Sequence, residues 1–299
     1  MTDAGGLTPA EALLLDRAGR MSPLGRARRA AGRRPLLVVG GVALSMVALA
    51  ALAAPALSPH DAAAFSGPPN LGPGGEYLLG TDRFGRDILS RVLYGARSSM
   101  LVALPSVAAA IGIALVVGCY SGFRGGRVDL LLQRVVDVFI AFPTLVLLLL
   151  VVRIFDPSVV AVVIALTVAL APWSTRLVRG AALVEARSEH VAAAVALGAT
   201  DTRIVLRHVV PGVLSLAIVL AATLSGAVIV AEASLSFLGL GVPPPRASWG
   251  ADISASRAAL PINLWAALFP GLAITIAVLG FNLLGDGLRD LLDPRTRNG

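Results

Sequence analysis

Residues 188–211 read S-E-H-V-A-A-A-V-A-L-G-A-T-D-T-R-I-V-L-R-H-V-V-P and lie between two strongly apolar blocks. Ser188 is a residue type that caps the start of a helix. From His190 to Leu197 the side chains are mostly small or unbranched, which favours a slim helix able to fit a groove. Gly198 stands where that helix should stop, and glycine takes the left-handed conformation such a stop requires. Thr200 or Asp201 can then cap a second helix carrying Arg203 and Arg207. Pro211 closes the stretch and opens the next apolar run. The expectation is a helix, a sharp bend and a second helix held just outside a membrane. On spacing alone, an ordinary connecting loop explains the same residues.

The composition supplies the membrane. The chain has 299 residues, of which 56% are hydrophobic and 14% charged, whereas soluble domains carry about a quarter charged residues. Several apolar runs of about 20 residues point to a multispan α-helical protein. The short alternating strands of a membrane barrel are not seen. A net charge of +7 would suggest nucleic acid in a soluble chain; here it fits arginines on cytoplasmic loops. There is no lysine, so a phosphate-cradling Walker loop is excluded, and any ATP chemistry must belong to a partner. His60, His190 and His208 fall in separate loops with no metal-ligand spacing, and nothing resembles a nucleophile elbow. Cys119, alone in an apolar run, reads as a buried inert thiol.

Along the chain, Thr8-Pro9-Ala10-Glu11 forms a capping box that opens a short helix through Leu13, Leu14 and Leu15. That helix lies on the membrane surface or docks on a partner. Arg26, Arg28, Arg29, Arg33 and Arg34 then act as an orientation signal before an uncleaved first span at 36–57. A Pro/Gly-rich segment, 58–75, holds too many breakers to be a packed core. An amphipathic helix is expected over 79–99, with Asp87 pairing to Arg91 and to Arg83, each four residues away. Further spans are expected at 99–121, 131–154, 159–178, 213–237 and 263–284. Arg134 and Asp137 pair locally or with neighbouring helices. Prolines within spans read as kinks, or more weakly as hinges. Six spans put both termini and most loop arginines inside, although the arginines from Arg83 to Arg97 fall outside, against the rule. Glu232 lies near the outer boundary, roughly 30 Å along its helix. A carboxylate in lipid costs about 3 kcal/mol, so Glu232 must face protein, a cavity or the interface. It is either a gate or pathway residue or a helix-end carboxylate bonded to the outer loop.

Family resemblance rests on specific residues. Ala193, Ala194, Gly198 and Pro211 fall on the Glu-Ala-Ala, Gly, Pro pattern of the cytoplasmic loop of ABC importer permease subunits. Ala192 stands at the Glu position, and His208-Val209-Val210 at the hydrophobic Ile-x-Leu before the Pro. Residues 80–97, G-T-D-R-F-G-R-D-I-L-S-R-V-L-Y-G-A-R, resemble throughout the G-T-D-x-x-G-R-D-x-x-S-R-x-x-Y-G-A-R signature of the dipeptide/oligopeptide branch, the DppC/OppC group. The segment from Glu232 to Gly250 is similar to that branch's outer segment.

The resemblance implies an all-α membrane protein with six transmembrane helices, the type I ABC importer permease fold, and a cytoplasmic coupling helix at 190–197. It assigns His190, Val191, Ala192, Ala193, Ala194, Val195, Leu197, Gly198, Arg207 and Pro211 to ATPase coupling. The implied organisation is a cytoplasmic tail at 1–35, a first span at 36–57 and an extracytoplasmic segment at 58–97. A five-helix core follows at 98–285, with its coupling loop at 179–211, and then a cytoplasmic tail at 286–299. The implied setting is a bacterial inner membrane, with both termini cytoplasmic. The implied partners are a second homologous permease subunit, two ATPase subunits or one fused ATPase, an extracytoplasmic solute-binding protein, the bilayer and a peptide substrate, with no nucleic acid. The chain binds no cofactor or metal; ATP and Mg belong to the ATPases, and the subunit itself is non-catalytic. A sibling permease for nickel, glutathione or a peptide antibiotic is the near alternative. A non-transport assembly factor and a membrane-embedded enzyme are remote ones.

Overall fold

A computed structural model describes residues 35–292. The capping box at 8–11, the arginines from 26 to 34, and Arg295 and Arg297 lie outside the described residues. The helices run α1 (Pro35–Leu57), α2 (Ile88–Arg124), α3 (Gly126–Ala141), α4 (Thr144–Ile154), α5 (Val159–Glu185), α6 (Glu189–Ala196) and α7 (Asp201–Ile204). A π-helical turn (Val205–Val209) then leads into α8 (Val210–Phe237), followed by α9 (Trp249–Ser256) and α10 (Trp265–Leu292). Among the described residues five helices are long and apolar enough to cross a membrane, α7 and α8 counting as one; α3 and α4 together make a sixth, bent by 94°. One end of the bundle carries α6, the other α9.

The bundle is assembled on α2 and α5, whose contact is the broadest in the molecule. In a bilayer the drive to associate comes from close packing, so backbones approach where side chains are small. Ser106, Ala110, Ala114, Gly118 and Gly122 recur every four residues on α2, and all are buried. Ala161, Ala165, Ala169, Thr175 and Ala182 answer them from α5. A Cβ on Gly118 would come within 2.9 Å of the Thr175 carbonyl oxygen. The same device fastens α1 to α10: a Cβ on Gly40 would meet the backbone of Leu284 at 2.5 Å, and one on Gly287 the Leu37 Cβ at 2.6 Å.

Two of the prolines have larger effects than the expected kinks. Pro105, Pro172 and Pro270 sit inside continuous helices, but Pro143 ends one. Its ring pushes the preceding residue out of the helical region. Phe142 is accordingly extended, with φ −76° and ψ 137°, and the expected span at 131–154 becomes two half-helices. Pro211 lies in a continuous helix running Asp201–Phe237. A proline there would press on the carbonyl four residues back. The preceding turn is widened instead, its Val210 N–H donating to the Val205 carbonyl five residues back.

The segment from 58 to 87 differs most from expectation. The helix begins at Ile88, with Asp87 as its cap, the carboxylate accepting from Ser90 N at 3.0 Å. Residues 79–87 are turns and bends, and neither expected pair of Asp87 forms. Arg83 lies over the Phe84 ring at 4.3 Å, and Arg91 reaches a different acid, described below. The segment is also packed, despite its breakers. Tyr77 is buried and its hydroxyl donates to the Ser66 carbonyl at 2.5 Å. Thr81 donates to the Pro68 carbonyl at 2.5 Å, and Asp82 accepts from the backbone of Phe84 and Arg86 and pairs with the Arg86 guanidinium at 2.6 Å. Short polar side chains here satisfy a loop backbone that a strand or helix would satisfy by itself.

Gly118→Val should disrupt the α2–α5 contact, costing about 1–3 kcal/mol, whereas Gly112→Ala, which meets open space, should be neutral. Thermal-unfolding midpoints of the two variants in detergent check this; equal midpoints would contradict the packing account.

Candidate functional site

The stretch between α5 and α8 forms one compact corner at the α6 end. Ser188 occupies the cap position of α6, but its hydroxyl donates back to the Glu185 carbonyl at 2.7 Å and does not cap. α6 covers Glu189–Ala196, one residue earlier than expected. It ends in a paired motif: Gly198 N–H donates to the Val195 carbonyl at 2.9 Å, and Ala199 N–H to the Ala194 carbonyl at 3.1 Å. This closure needs a left-handed residue, and Gly198 supplies it with φ +75°. α7 follows with Thr200 at its cap position.

The residues expected to form an outward surface divide into two faces. Val191 and Ala194, three apart, are buried together with Val178, Ala182, Ile204, Val205 and Val209 in a small second core. They hold α6 to the bundle and lie on the face opposite its exposed residues. His190, Ala192, Ala193, Val195, Gly198, Arg207 and Pro211 are exposed. Leu197 is 88% exposed at the tip, an apolar side chain without cover, next to a helix face of alanines.

Polar contacts brace this corner. Arg124 at the end of α2 pairs with Asp201 of α7. Arg179 of α5 forms a fork with Asp129 of α3 at 2.5 and 2.6 Å, and Arg176 pairs with Asp137. Asp137 thus pairs with a neighbouring helix. Glu185 lies 3.1 Å from the His190 ring and packs over Gly212, where a Cβ would meet its Cγ at 2.7 Å. The corner brings the His190 and His208 rings to 6.0 Å, although the sequence separates them into different loop segments. The i, i+4 small-residue stripe was available in the sequence as a packing signal; the pairing of Glu185 with His190 had none.

At the opposite end, Glu232 is completely buried. Its carboxylate accepts from the hydroxyls of Ser99 of α2 at 3.0 Å, Ser236 of α8 at 2.7 Å and Ser248 before α9 at 3.1 Å. Charge in a protein interior persists only where such donors replace water. The carboxylate therefore clasps three segments of chain together: α2, α8 and the loop that precedes α9.

Beside it, Arg91 donates to Asp252 of α9 from Nε at 2.7 Å and Nη2 at 2.5 Å, and to the Ala62 carbonyl at 2.8 Å. Burial pushes the Asp252 carboxyl up from its ordinary value, and the Arg91 guanidinium opposes this. Trp249 is buried, its indole N–H donating to the Val92 carbonyl at 3.0 Å. The helix α9, not expected from the sequence between the spans at 213–237 and 263–284, is locked into the bundle by these contacts. Ser248, Trp249 and Gly250 were visible in the sequence as a polar-aromatic cluster, but the distant partners of Trp249 and Asp252, 157 and 161 residues away, were not.

Residues 114–298 match the family described as "Binding-protein-dependent transport system inner membrane component". The chain is 41% identical over 284 residues to a putative peptide transport system permease protein of Brucella suis, covering 92% of this chain and 93% of the relative. It is 37% identical over 280 residues to the dipeptide transport system permease protein DppC of Alkalihalophilus pseudofirmus, covering 93% and 92%. It is 38% identical over 268 residues to the glutathione transport system permease protein GsiD of Pectobacterium atrosepticum, covering 89% of each chain.

Glu232→Gln keeps the shape and one acceptor, and serine hydroxyls can turn to accept from the amide. It should unfold within about 1 kcal/mol of the parent. Glu232→Ala strands the hydroxyls of Ser99, Ser236 and Ser248 and should cost about 1–3 kcal/mol. Thermal midpoints and membrane accumulation separate the two; an equal loss in both would mean that the charge, not the acceptor, is required.

Proposed function

The chain belongs to the family of binding-protein-dependent transport system inner membrane components, and on that premise we propose that it is a non-catalytic permease subunit of an ATP-driven importer of di- or oligopeptides. The peptide assignment draws on the relatives named for peptide and dipeptide transport. The GsiD relatives favour glutathione as the second reading. In this proposal a second, homologous permease subunit completes the pathway, two ATPase subunits or one fused ATPase bind ATP and Mg beneath, and an extracytoplasmic solute-binding protein delivers solute from above. The chain lacks lysine, which supports leaving nucleotide chemistry to the ATPases.

The observation that carries the proposal is the corner at Gly198. An exposed leucine beside small side chains, on a helix anchored from behind by Val191 and Ala194, is a shape that docks in a cleft. Closure of the ATPases would displace α6, and the brace from Asp201 to Arg124 would carry that displacement into α2. The bundle needs only two states that bind the ATPases differently. Arg124, Arg127, Arg187, Arg203 and Arg207 cluster at this end, which supports a cytoplasmic position for it and for both termini. Residues 58–97 and 238–260 then face outward.

A cysteine in place of Leu197 tests the orientation, because the native Cys119 is buried and gives little background. The expected result is no labelling by an impermeant maleimide in intact cells and strong labelling after permeabilisation. Strong labelling before permeabilisation would reverse the topology.

Coupling is tested separately. No atom lies within 4 Å of a Cβ placed on Gly198, so Gly198→Val acts through backbone strain alone, about 1 kcal/mol or more. That is small against the bundle but enough to re-aim α6. Membrane levels should stay near normal while ATPase association weakens and uptake is lost. Ala193→Arg should give the same result by bulk. Purified alone, the chain should show no ATP hydrolysis, which should appear with its ATPases and rise with loaded binding protein. Normal uptake in both variants would show that this corner does not couple.

A further inference from the structure

Arg97 and Arg246 differ from the other arginines at the α9 end. Arg86 and Arg91 are paired with Asp82 and Asp252, and Arg83 and Arg257 lie over phenylalanine rings. Among the described residues no hydrogen bond, ion pair or ring contact engages the guanidinium of Arg97 or Arg246. Both line one cavity of about 260 Å³, together with Tyr94, Ser98 and Val159. Two cations face one space with no carboxylate among its walls.

A second cleft adjoins it. An apolar groove of about 350 Å³ runs between α1 and α2 along Leu52, Met100, Leu104 and Pro105, and it shares Arg97 and Leu101 with the basic cavity. The groove faces away from the bundle: Leu52 is 80% exposed. Arg97 lies roughly 13 Å along α2 from Ile88, where the polar first turns give way to the apolar run. Its guanidinium is therefore at the depth where hydrocarbon meets headgroups. An arginine at that depth is stable when it pairs or reaches the interface, and phosphate is the anion its fork fits best.

We propose that the groove and the cavity form one binding site for an anionic phospholipid, its acyl chain lying along Leu52 and Leu104 and its phosphate between Arg97 and Arg246. The Tyr94 and Ser98 hydroxyls supply further donors. The cavity alone would admit any small anion, including a solute carboxylate. Its continuity with an apolar groove on the outer wall of α1 selects a ligand that has both an anionic head and a hydrocarbon tail. The same site gives a role to Arg97, the one arginine of the 83–97 segment without a partner among the described residues.

The test uses the full chain, purified with whatever subunits accompany it, stripped of lipid and exposed to phosphatidylglycerol or phosphatidylcholine in mixed micelles. Retained lipid is read by native mass spectrometry. The parent should retain phosphatidylglycerol in preference. Arg97→Ala with Arg246→Ala should weaken that retention roughly thirtyfold, and Arg83→Ala, outside the cavity, should leave it unchanged. Leu104→Trp, which fills the groove without altering charge, should also weaken it, and carries the test if the double variant does not assemble. Equal retention of both lipids by the parent, or an equal loss in Arg83→Ala, would overturn the proposal in favour of diffuse attraction. Displacement of phosphatidylglycerol by inorganic phosphate would show a bare anion site, and displacement by a dipeptide would assign the cavity to solute; either outcome overturns the lipid assignment.

Discussion

The contact between the backbones of α2 and α5 sets every other distance in the bundle. At Gly118 and Gly122 the two helices are so close that no side chain fits between them, and elsewhere along its length α2 also touches α1, α3, α8, α9 and α10. Lipid supplies no hydrophobic drive for helices to associate. Close approach therefore depends on removing side-chain volume, and the small residues at four-residue intervals do that. Once α2 and α5 are fixed, α1 joins through α10, again over glycines, and the half-helix α4 lays Leu148 and Val152 against α5.

The polar groups divide between the two ends and follow different rules. At the α6 end the acids Asp129, Asp137 and Asp201 each meet an arginine from another helix, mostly with part of the pair in contact with solvent. Such pairs orient helices more than they stabilise them. At the α9 end the acids are buried, Glu232 held by hydroxyls and Asp252 by Arg91, whose Nε and Nη2 both donate to Oδ1 and leave Oδ2 without a partner among the described residues. Losing one partner there leaves a buried charge alone, which costs far more than the contact contributes. The α9 end is accordingly the one where removing a single polar group costs more.

Much of this was legible in the residues. Apolar runs located the apolar stretches, because length and hydropathy are local properties, but the helices run on past them: α2 begins at Ile88 and not at 99, and α10 ends at Leu292 and not at 284. The bend at Gly198 was legible too, since a helix of small residues ending at a glycine has few other outcomes. What escaped was non-local. Asp87 and Arg91 have ideal helical spacing, but Asp87 is taken by the helix start and Arg91 by an acid 161 residues away. Pro143 and Pro105 look alike in sequence, yet only Pro143 breaks its helix. Val191 and Ala194 share a helix with Ala193, and only the second core reveals that they face the other way. The shape of the corner was thus legible in its residues, while its division into an anchoring and an exposed face required coordinates.

The unbroken run from Asp201 to Phe237 has a mechanical consequence. At 37 residues it is a strut about 55 Å long, with the bend at one end and the Glu232 clasp near the other. Under the proposed coupling, axial load applied at Asp201 would meet no loop before the far end of the helix. The widened turn from Val205 to Val209 departs from α geometry beside Asp201 and far from the clasp, so any twist of the strut would be taken up near the bend rather than at the Glu232 end.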